Sequence, residues 1–284
     1  MRLATIRIAG STRAARVEGD SLVVLQAPDV ATLLAAGGIE GAASAAATGE
    51  RVAIEEADFA TLVPRPWKFI CVGLNYKSHI LEGSNEFPSH PTFFSKFPEA
   101  LIGARDDIVI PAAAPDMVDW EAELGVVVGK PVRNADSATA RDAIAGYTVV
   151  NDTSMRDFQR RTLQWLQGKT FEHASPVGPW LVTTDELNVT DEGVDHRLQC
   201  LVDGEVMQDA PTGDLLFGPI ELVRYASQIV TLKPGDIIST GTTGGVGAAR
   251  TPAVFLKPGQ VVTTRIEGIG ELVNRCISEA DFRA

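Results

Sequence analysis

The sequence has little of what disulfide-rich, zinc-binding and thiol-dependent proteins need. It contains three cysteines, Cys71, Cys200 and Cys276, and no Cys-x-x-Cys pair among its 284 residues. An odd number of widely spaced cysteines argues against a disulfide framework, and the missing pair removes a common zinc clamp. Because there are only four histidines and no His-Glu-x-x-His motif, zinc catalysis and a thiol nucleophile are both poorly supported.

Long apolar runs and an excess of basic residues are also missing. No apolar stretch approaches the roughly 20 residues that a membrane helix needs, and residues 1–7 lack the continuous apolar segment of a secretory signal. The net charge is -12 with scattered Lys and Arg, which argues against a nucleic-acid partner. We therefore expect a soluble, cytoplasmic protein that binds neither nucleic acid nor membranes.

The chain is long enough for one large domain preceded by a small one. Its hydrophobic content is 45%, which suffices for a sizeable core. The paired prolines of Pro64-Arg65-Pro66 are typical of a stiff connection between domains. We therefore predict a small β-rich domain over residues 1–63 and a catalytic domain over residues 64–284.

Two glutamates, Glu121 and Glu123, lie in a segment that predicts a strand. A β-branched apolar run ending at Gly129 follows them, and residues two apart in a strand point to the same face. Their carboxylates would therefore lie close together, so one must be protonated or a cation must lie between them. The wet face of an edge strand is the plainer explanation of such a pair.

Asp152 ends a second predicted strand and would cap a long helix that continues to Leu166. Arg156 and Gln159 would share a helical stripe with Asp152. A carboxylate, a guanidinium and an amide on one stripe suit an anionic, metal-bound ligand. An N-cap with an i,i+4 ion pair would explain the same residues without any ligand.

Other residues suit acid–base work. His79 and Glu82 lie three apart, which makes them neighbours on one helical turn. A carboxylate beside an imidazole fixes its tautomer and raises its basicity, as a general base requires. An exposed i,i+3 pair is the alternative. Lys169 ends a predicted helix, where it either neutralises the helix dipole or projects into a cleft.

The chemistry that remains is oxygen chemistry. No serine lies in Gly-x-Ser-x-Gly, and the glycine-rich residues 241–247 do not continue as a phosphate loop. Three carboxylates on or at the ends of strands, from Glu121, Glu123 and Asp152, suit a hard cation such as Mg²⁺ or Mn²⁺.

Five motifs, in this order, resemble the fumarylacetoacetate hydrolase family over about residues 65–275. Each is weak alone, and the five together are specific. They are Asn75-Tyr76-x-x-His79-x-x-Glu82, Asp119-x-Glu121-x-Glu123-Leu124, Asn151-Asp152-x-Ser154-x-Arg156-Asp157-x-Gln159, Lys169 before Pro176-x-Gly178-Pro179, and Pro234-Gly235-Asp236-x-Ile238-x-Thr240-Gly241-Thr242.

The resemblance implies an α+β fold that is mainly β, a mixed β-roll or sandwich that forms a homodimer through its large domain. It also implies a role for each matching residue. Glu121, Glu123 and Asp152 would hold the divalent metal ion, His79 and Glu82 would form a catalytic dyad on a lid, Lys169 would contact the substrate oxygens or the developing enolate, and Arg156, Gln159 and Thr242 would bind substrate.

The reaction that this resemblance favours is metal-assisted hydrolysis of a carbon–carbon bond in a 1,3-dioxo acid such as an acylpyruvate or fumarylpyruvate, as in aromatic catabolism. His79, oriented by Glu82, would activate the attacking water. The metal ion and Lys169 would stabilise the enolate that leaves. Glu172 and the Thr243-Gly244 pair depart from the usual family pattern on the substrate side, so the substrate stays open.

Two alternatives use the same metal and enolate. One is decarboxylation of an oxaloacetate-like acid, and the other is isomerisation or hydration of a 2-hydroxydienoate. A metal-binding protein without turnover is a third alternative. It is disfavoured because His79, Glu82 and Lys169 would have no purpose in it.

Overall fold

A computed structural model of the protein describes residues 1–82, 86–190 and 193–282. Strands make up most of its regular structure. The strands are β1 Arg2–Ile8, β2 Ser11–Glu18, β3 Ser21–Leu25, β4 Ala47–Ala53, β5 Phe69–Gly73, β6 Thr92–Ser95, β7 Leu101–Ile102, β8 Ile108–Ile110, β9 Val118–Asp119, β10 Ala122–Val128, β11 Ile144–Asn151, β12 Ser154–Met155, β13 Ser175–Thr183, β14 Arg197–Val202, β15 Glu205–Pro211, β16 Ile237–Thr242, β17 Val261–Ile266 and β18 Gly270–Ser278. The helices are α1 Val30–Ala43, α2 Lys77–Glu82, α3 Ser137–Ala143, α4 Arg156–Gln159, α5 Leu166–Lys169 and α6 Pro219–Ile229.

The largest sheet runs in the order β4-β3-β2-β1-β13-β11-β10-β16-β5-β6, with β7 parallel to β13. Strand β10 lies between β11 and β16 and is antiparallel to both. Every residue of β10 is buried, as its continuous apolar run requires. Glu123 therefore lies on a central strand, which rules out the edge-strand explanation.

A second sheet, in the order β15-β14-β17-β18-β8, packs over the first. One core cluster joins them, with Leu124 and Tyr147 from the large sheet and Cys200 and Leu272 from the small one. The prediction of a mainly β, layered fold is confirmed. The three cysteines are buried and unbonded to one another, and no helix in the described part of the chain is long and apolar enough to span a membrane.

The first four strands continue the large sheet through β1, which pairs with β13 in the register Leu3↔Leu181. Phe59 packs edge-on against Trp180 of β13, with ring centroids 6.1 Å apart. Residues 1–53 thus share a sheet with the rest of the chain. The division at residues 63 and 64 stays a prediction.

The long helix predicted after Asp152 is wrong. The chain instead forms β12, which pairs with β9, and then two single-turn helices, α4 and α5. Asp152 caps neither, because the residue before α4 is Met155. Leu163, counted as part of the apolar face, is 97% exposed. Helical spacing was misleading here because β9 pairs with Ser154 and Met155 at the start of the segment, and the local pattern cannot reveal that contact.

Side-chain caps and a tight turn fix several local elements. Asp29 caps α1, with its side chain accepting a hydrogen bond from the Thr32 amide, and Asp136 caps α3. The hairpin of β14 and β15 turns at Asp203 and Gly204, which have φ values of 51° and 83°. Positive φ at both central residues is the geometry that an Asp-Gly turn favours.

Gly103 offers a test of how tightly the early residues pack on the large sheet. A Cβ at this position would lie 1.9 Å from the Phe59 carbonyl oxygen, and a main-chain atom cannot rotate away. Gly103→Ala should therefore lower the free energy of unfolding by about 1–3 kcal/mol, the usual range for overpacking. Urea unfolding of both proteins measures it.

The matched control is Gly41→Ala on α1, where an added Cβ has nothing within 4 Å. This change should raise stability by about 0.4–1 kcal/mol, because alanine loses less backbone freedom than glycine on folding. Equal effects of the two substitutions would contradict the close packing at Gly103.

Candidate metal centre

Three carboxylates converge where β10 begins and β11 ends. Glu121 immediately precedes β10, Glu123 is its second residue, and Asp152 immediately follows β11. The Asp152 amide donates to the Glu121 carbonyl oxygen at 2.9 Å, which joins the two strand ends. One ligand oxygen from each carboxylate lies within 4.8 Å of the others, and the three residues are 6%, 1% and 0% exposed.

Cationic side chains lie against two of these carboxylates. Lys169 Nζ is 2.7 Å from Glu121 Oε2 and 2.9 Å from Asp152 Oδ2. Arg156 lies 2.6 Å from Glu121 Oε1, and Lys96 Nζ lies 2.7 Å from Asp152 Oδ1. Each of the two carboxylates is therefore held by two cations.

These cations set the charge state of Glu121. Burial alone would raise its pKa, but the charges of Lys169 and Arg156 and the hydrogen bond from Lys169 lower that pKa to about 2. Burial would lower the pKa of Lys169, and the charges of Asp152 and Glu121 raise it instead. Glu121 and Lys169 are thus a buried carboxylate and a buried ammonium, each charged because of the other.

Glu123 has different surroundings. Its Oε2 accepts hydrogen bonds from Ser239 Oγ at 2.5 Å and from the Gly241 amide at 2.9 Å. Burial, Asp152 and Glu121 raise the pKa of Glu123 well above its ordinary value, and the Ser239 hydrogen bond opposes them only in part. A further cation beside Glu123 would offset the repulsion from Asp152 and Glu121 and so stabilise its ionised form.

The donor set fits a divalent metal ion. Among the described residues, the buried cluster and its contacts hold four carboxylates and three cationic side chains, so the carboxylates outnumber the cations by one before any metal is counted. Carboxylate oxygens are the donors that Mg²⁺ and Mn²⁺ prefer. The carboxylates are those of Asp119, Glu121, Glu123 and Asp152, and the cations are Lys96, Arg156 and Lys169.

Arg156 lies inside this network. Its Nε donates to Asp119 Oδ2 at 2.8 Å, and its Nη1 donates to Gln159 Oε1 at 2.9 Å while also contacting Glu121. Asp119 in turn accepts hydrogen bonds from the Gly247 and Ala248 amides at 2.7 and 3.0 Å. Arg156 therefore links Glu121 to the glycine-rich loop after β16, and its contact with substrate stays a prediction, as does that of Gln159.

Thr242 closes the other side of β10. Its Oγ1 donates to the Ala122 carbonyl oxygen at 2.9 Å and accepts a hydrogen bond from Gln208 Nε2 at 2.8 Å. Gln208 Oε1 also accepts from the Ala122 amide at 2.9 Å. In this structure the hydroxyl fixes the start of β10, and a substrate-binding role for Thr242 stays a prediction.

His79 lies on α2, as the motif predicted, and its side chain is half-buried. A catalytic role for His79 stays a prediction. The side chain of Glu82, its predicted partner, lies outside the described residues. Asn75, just before α2, donates to the Thr240 carbonyl oxygen at 2.7 Å, which fixes α2 to the end of β16.

Sequence reasoning missed three contributors. They are Lys96, which contacts Asp152 directly, Asp119, which pairs with Arg156, and Ser239, which donates to Glu123. The available signal for Lys96 was its place among Phe93, Phe94 and Phe97, which favour a buried segment. A lysine is almost never fully buried unless it is paired, so a buried acidic partner could have been expected.

Comparisons with known proteins agree on the family. The family described as fumarylacetoacetate (FAA) hydrolase C-terminal matches residues 68–277. A Bos taurus protein named oxaloacetate tautomerase FAHD2A, mitochondrial, is 45% identical over 226 residues, which is 78% of this chain and 70% of that protein.

Two solved structures share the fold over nearly the whole chain. The 5-carboxymethyl-2-hydroxymuconate delta-isomerase from Mycobacterium smegmatis is 32% identical with a TM-score of 0.81 and covers 98% of this chain and 100% of that one. A fumarylacetoacetate hydrolase from Exiguobacterium antarcticum is 27% identical with a TM-score of 0.82 and the same two coverages. The three proteins are thus named for a tautomerase, an isomerase and a hydrolase.

Replacing Glu123 tests the metal centre without any substrate. Glu123→Gln keeps an oxygen that can accept from Ser239 and Gly241 but removes the buried charge. The metal-free variant should be more stable than the metal-free wild type by on the order of 1 kcal/mol, because no carboxylate must be buried beside two others. Mn²⁺ should raise the melting temperature of the wild type and not of Glu123→Gln.

Glu205→Gln is the control, since Glu205 is exposed on β15. It should leave both the metal-free stability and the Mn²⁺ response as in the wild type. A full Mn²⁺ response in Glu123→Gln would contradict the assignment of Glu123 as a ligand.

Proposed function

Because this chain belongs to the fumarylacetoacetate hydrolase family, we propose that it uses a divalent metal ion to interconvert the enol and keto forms of a 2-oxo dicarboxylic acid of the oxaloacetate type. Glu121, Glu123 and Asp152 would hold the ion, which is Mg²⁺ or Mn²⁺. The observation that carries the proposal is the buried carboxylate cluster with the Lys169 ammonium against it.

Tautomerisation moves one proton. The enol O–H proton leaves, its electron pair forms the carbonyl, and the carbon–carbon π pair takes up a proton at carbon 3. When bound, the metal ion would supply Lewis acidity that favours the enolate. Lys169 would place a permanent positive charge beside the enolate oxygen, and His79 would hold the proton that is exchanged with carbon 3.

The substrate class rests on two supports. The bovine relative is named for tautomerisation of oxaloacetate, and the Mycobacterium smegmatis neighbour is named for isomerisation of another unsaturated hydroxy acid. Both names imply a proton moved to or from carbon next to an enol. Such a reaction needs the enolate-stabilising groups of this site and no attacking water.

Hydrolysis of a carbon–carbon bond in an acylpyruvate is the second candidate. It is supported by His79, which lies on the short helix α2, and by the Exiguobacterium antarcticum neighbour. In this reaction His79 would take a proton from water, which attacks the remote carbonyl. The bond then breaks to leave the same enolate beside Lys169.

We further propose that the protein works as a homodimer on a small keto acid, without nucleic acid or membrane as partner. This rests on the family and on the acidic net charge of -12. A cytoplasmic location stays a prediction, because the bovine relative is named as mitochondrial.

Metal removal and Lys169 can be tested together on oxaloacetate. Loss of enol absorbance above the spontaneous rate should stop with EDTA and return with Mn²⁺. Lys169→Met should lower kcat by about 10²–10³-fold, because a charge aimed at the developing oxyanion is lost. Its Mn²⁺ affinity should not fall, since Lys169 competes for the oxygens of Glu121 and Asp152. A kcat within about threefold of wild type would contradict the role of Lys169.

The products that the wild type forms separate the two candidate reactions, and His79→Ala tests the role of His79 in the reaction that is found. Acetylpyruvate and oxaloacetate are assayed side by side, with acetate and pyruvate measured as products. If water activation is the task of His79, acetylpyruvate cleavage should fall by about 10²–10⁴-fold. If the wild-type protein interconverts the enol and keto forms of oxaloacetate but does not cleave acetylpyruvate, the tautomerase is supported and the hydrolase is excluded. Pyruvate formed from oxaloacetate would instead indicate a decarboxylase.

A further inference from the structure

Lys96 is a fully buried lysine that no step of the proposed reaction uses. Its Nζ lies 2.7 Å from Asp152 Oδ1. The same Nζ donates to the Thr153 carbonyl oxygen at 2.9 Å and to the Lys169 carbonyl oxygen. Two of the three N–H groups of the ammonium therefore donate to main-chain carbonyl oxygens, and Asp152 Oδ1 forms an ion pair with it without accepting a hydrogen bond.

The partners come from two separate parts of the chain. Asp152 and Thr153 follow β11, and Lys169 ends α5. Lys96 itself follows β6, where Phe94 lies with its ring centroid 5.1 Å from Lys169 Nζ. One buried ammonium thus joins the β6 end, the β11 end and α5.

The two oxygens of Asp152 are divided between two lysines. Oδ1 faces Lys96, and Oδ2 faces the Nζ of Lys169 at 2.9 Å. Ion pairs on both oxygens restrict the rotation of the carboxylate about its last bond, and Lys169 Nζ lies between Asp152 Oδ2 and Glu121 Oε2. Ligand oxygens need such orientation, because partners behind the ligands set the geometry of a metal site.

We propose that Lys96 is a positioning residue that holds Asp152 and the Lys169 main chain in the geometry that divalent-metal binding requires. The proposal deepens the metal-dependent function proposed above and rests on it. Lys96 contacts Asp152 and the main chain at Thr153 and Lys169, so it would act on the metal ion through these residues.

The charge of Lys96 and its positioning role predict opposite effects on metal affinity when the lysine is replaced. If Lys96 acted only as a charge, its removal would tighten metal binding, because a cation beside a ligand repels another cation. If Lys96 acts by position, its removal should weaken binding by about 10–100-fold, the usual effect of losing a partner behind a ligand. The sign of the change therefore decides between the two.

The experiment is calorimetric titration of metal-free protein with Mn²⁺, for the wild type and for Lys96→Met. Methionine has nearly the length of lysine and no charge. We expect Mn²⁺ affinity to fall by about 10–100-fold. Unchanged or tighter binding in Lys96→Met would overturn the proposal.

Lys68→Met is the matched control. Lys68 Nζ lies 2.7 Å from Asp236 Oδ2, and the Asp236 side chain is also fully buried. Asp236 precedes β16, whereas Thr242 at the other end of β16 pairs with Glu123. Lys68→Met should lower the melting temperature and leave Mn²⁺ affinity unchanged. An equal loss of affinity in both variants would assign the effect to general loosening and overturn the proposal.

A second variant, Lys96→Gln, is measured alongside. Its amide can still donate to a carbonyl but brings no charge, so it should fold even if Lys96→Met does not. It should show the same weaker Mn²⁺ binding, and wild-type affinity in it would overturn the proposal. If the wild type itself binds no Mn²⁺, the proposed function fails and this inference with it. If the wild type binds and the Lys96 variants bind equally well, only this inference fails.

Discussion

The repulsion among Glu121, Glu123 and Asp152 is the constraint on which the rest of the site depends. Three carboxylates with ligand oxygens within 4.8 Å are buried in the core, where an unpaired charge is very costly. The cations and hydrogen-bond donors around the three carboxylates offset this repulsion unequally. Glu121 and Asp152 each lie against two cations, whereas Glu123 accepts hydrogen bonds from Ser239 and Gly241. Among the residues that the structure describes, Glu123, on the central strand β10, is therefore the carboxylate without a cation against it, and a divalent ion beside it would relieve the repulsion most.

The architecture follows from bringing those partners to one place. Strand β10 must be central so that β11 delivers Asp152 from one side and β16 delivers Ser239 from the other. The lysines arrive from outside this core, Lys96 after β6 and Lys169 at the end of α5. Neither element is long enough to be stable alone. The ion pairs of Lys96 and Lys169 with buried carboxylates therefore help to fold the segments that carry these lysines. The folding of these segments is thus coupled to the geometry of the carboxylates that would bind the metal ion.

Sequence reasoning reached the parts of this arrangement that depend on short-range pattern. The two-residue period of a strand predicted that Glu121 and Glu123 lie close together. Sequence reasoning failed where distant contacts decide. The apolar spacing up to Leu166 indicated a helix, yet the segment begins with Ser154 and Met155, which pair with β9 from earlier in the chain. Lys96 meets Thr153 across 57 residues and Ser239 meets Glu123 across 116, distances over which no periodicity carries information.

The same geometry explains why one family can carry a tautomerase, an isomerase and a hydrolase. All three reactions need a stabilised enolate, and the buried groups that would provide it lie at the ends of β10 and β11 in the large sheet and at the end of α5. Hydrolysis alone needs a water molecule and a base placed opposite the remote carbonyl. The base would come from α2, a single short helix fixed to β16 through Asn75. Under the proposed function, a short helix with its own anchor beside the carboxylate cluster would allow the reaction to change while the metal ligands stay the same, and His79 on that helix would decide which chemistry follows.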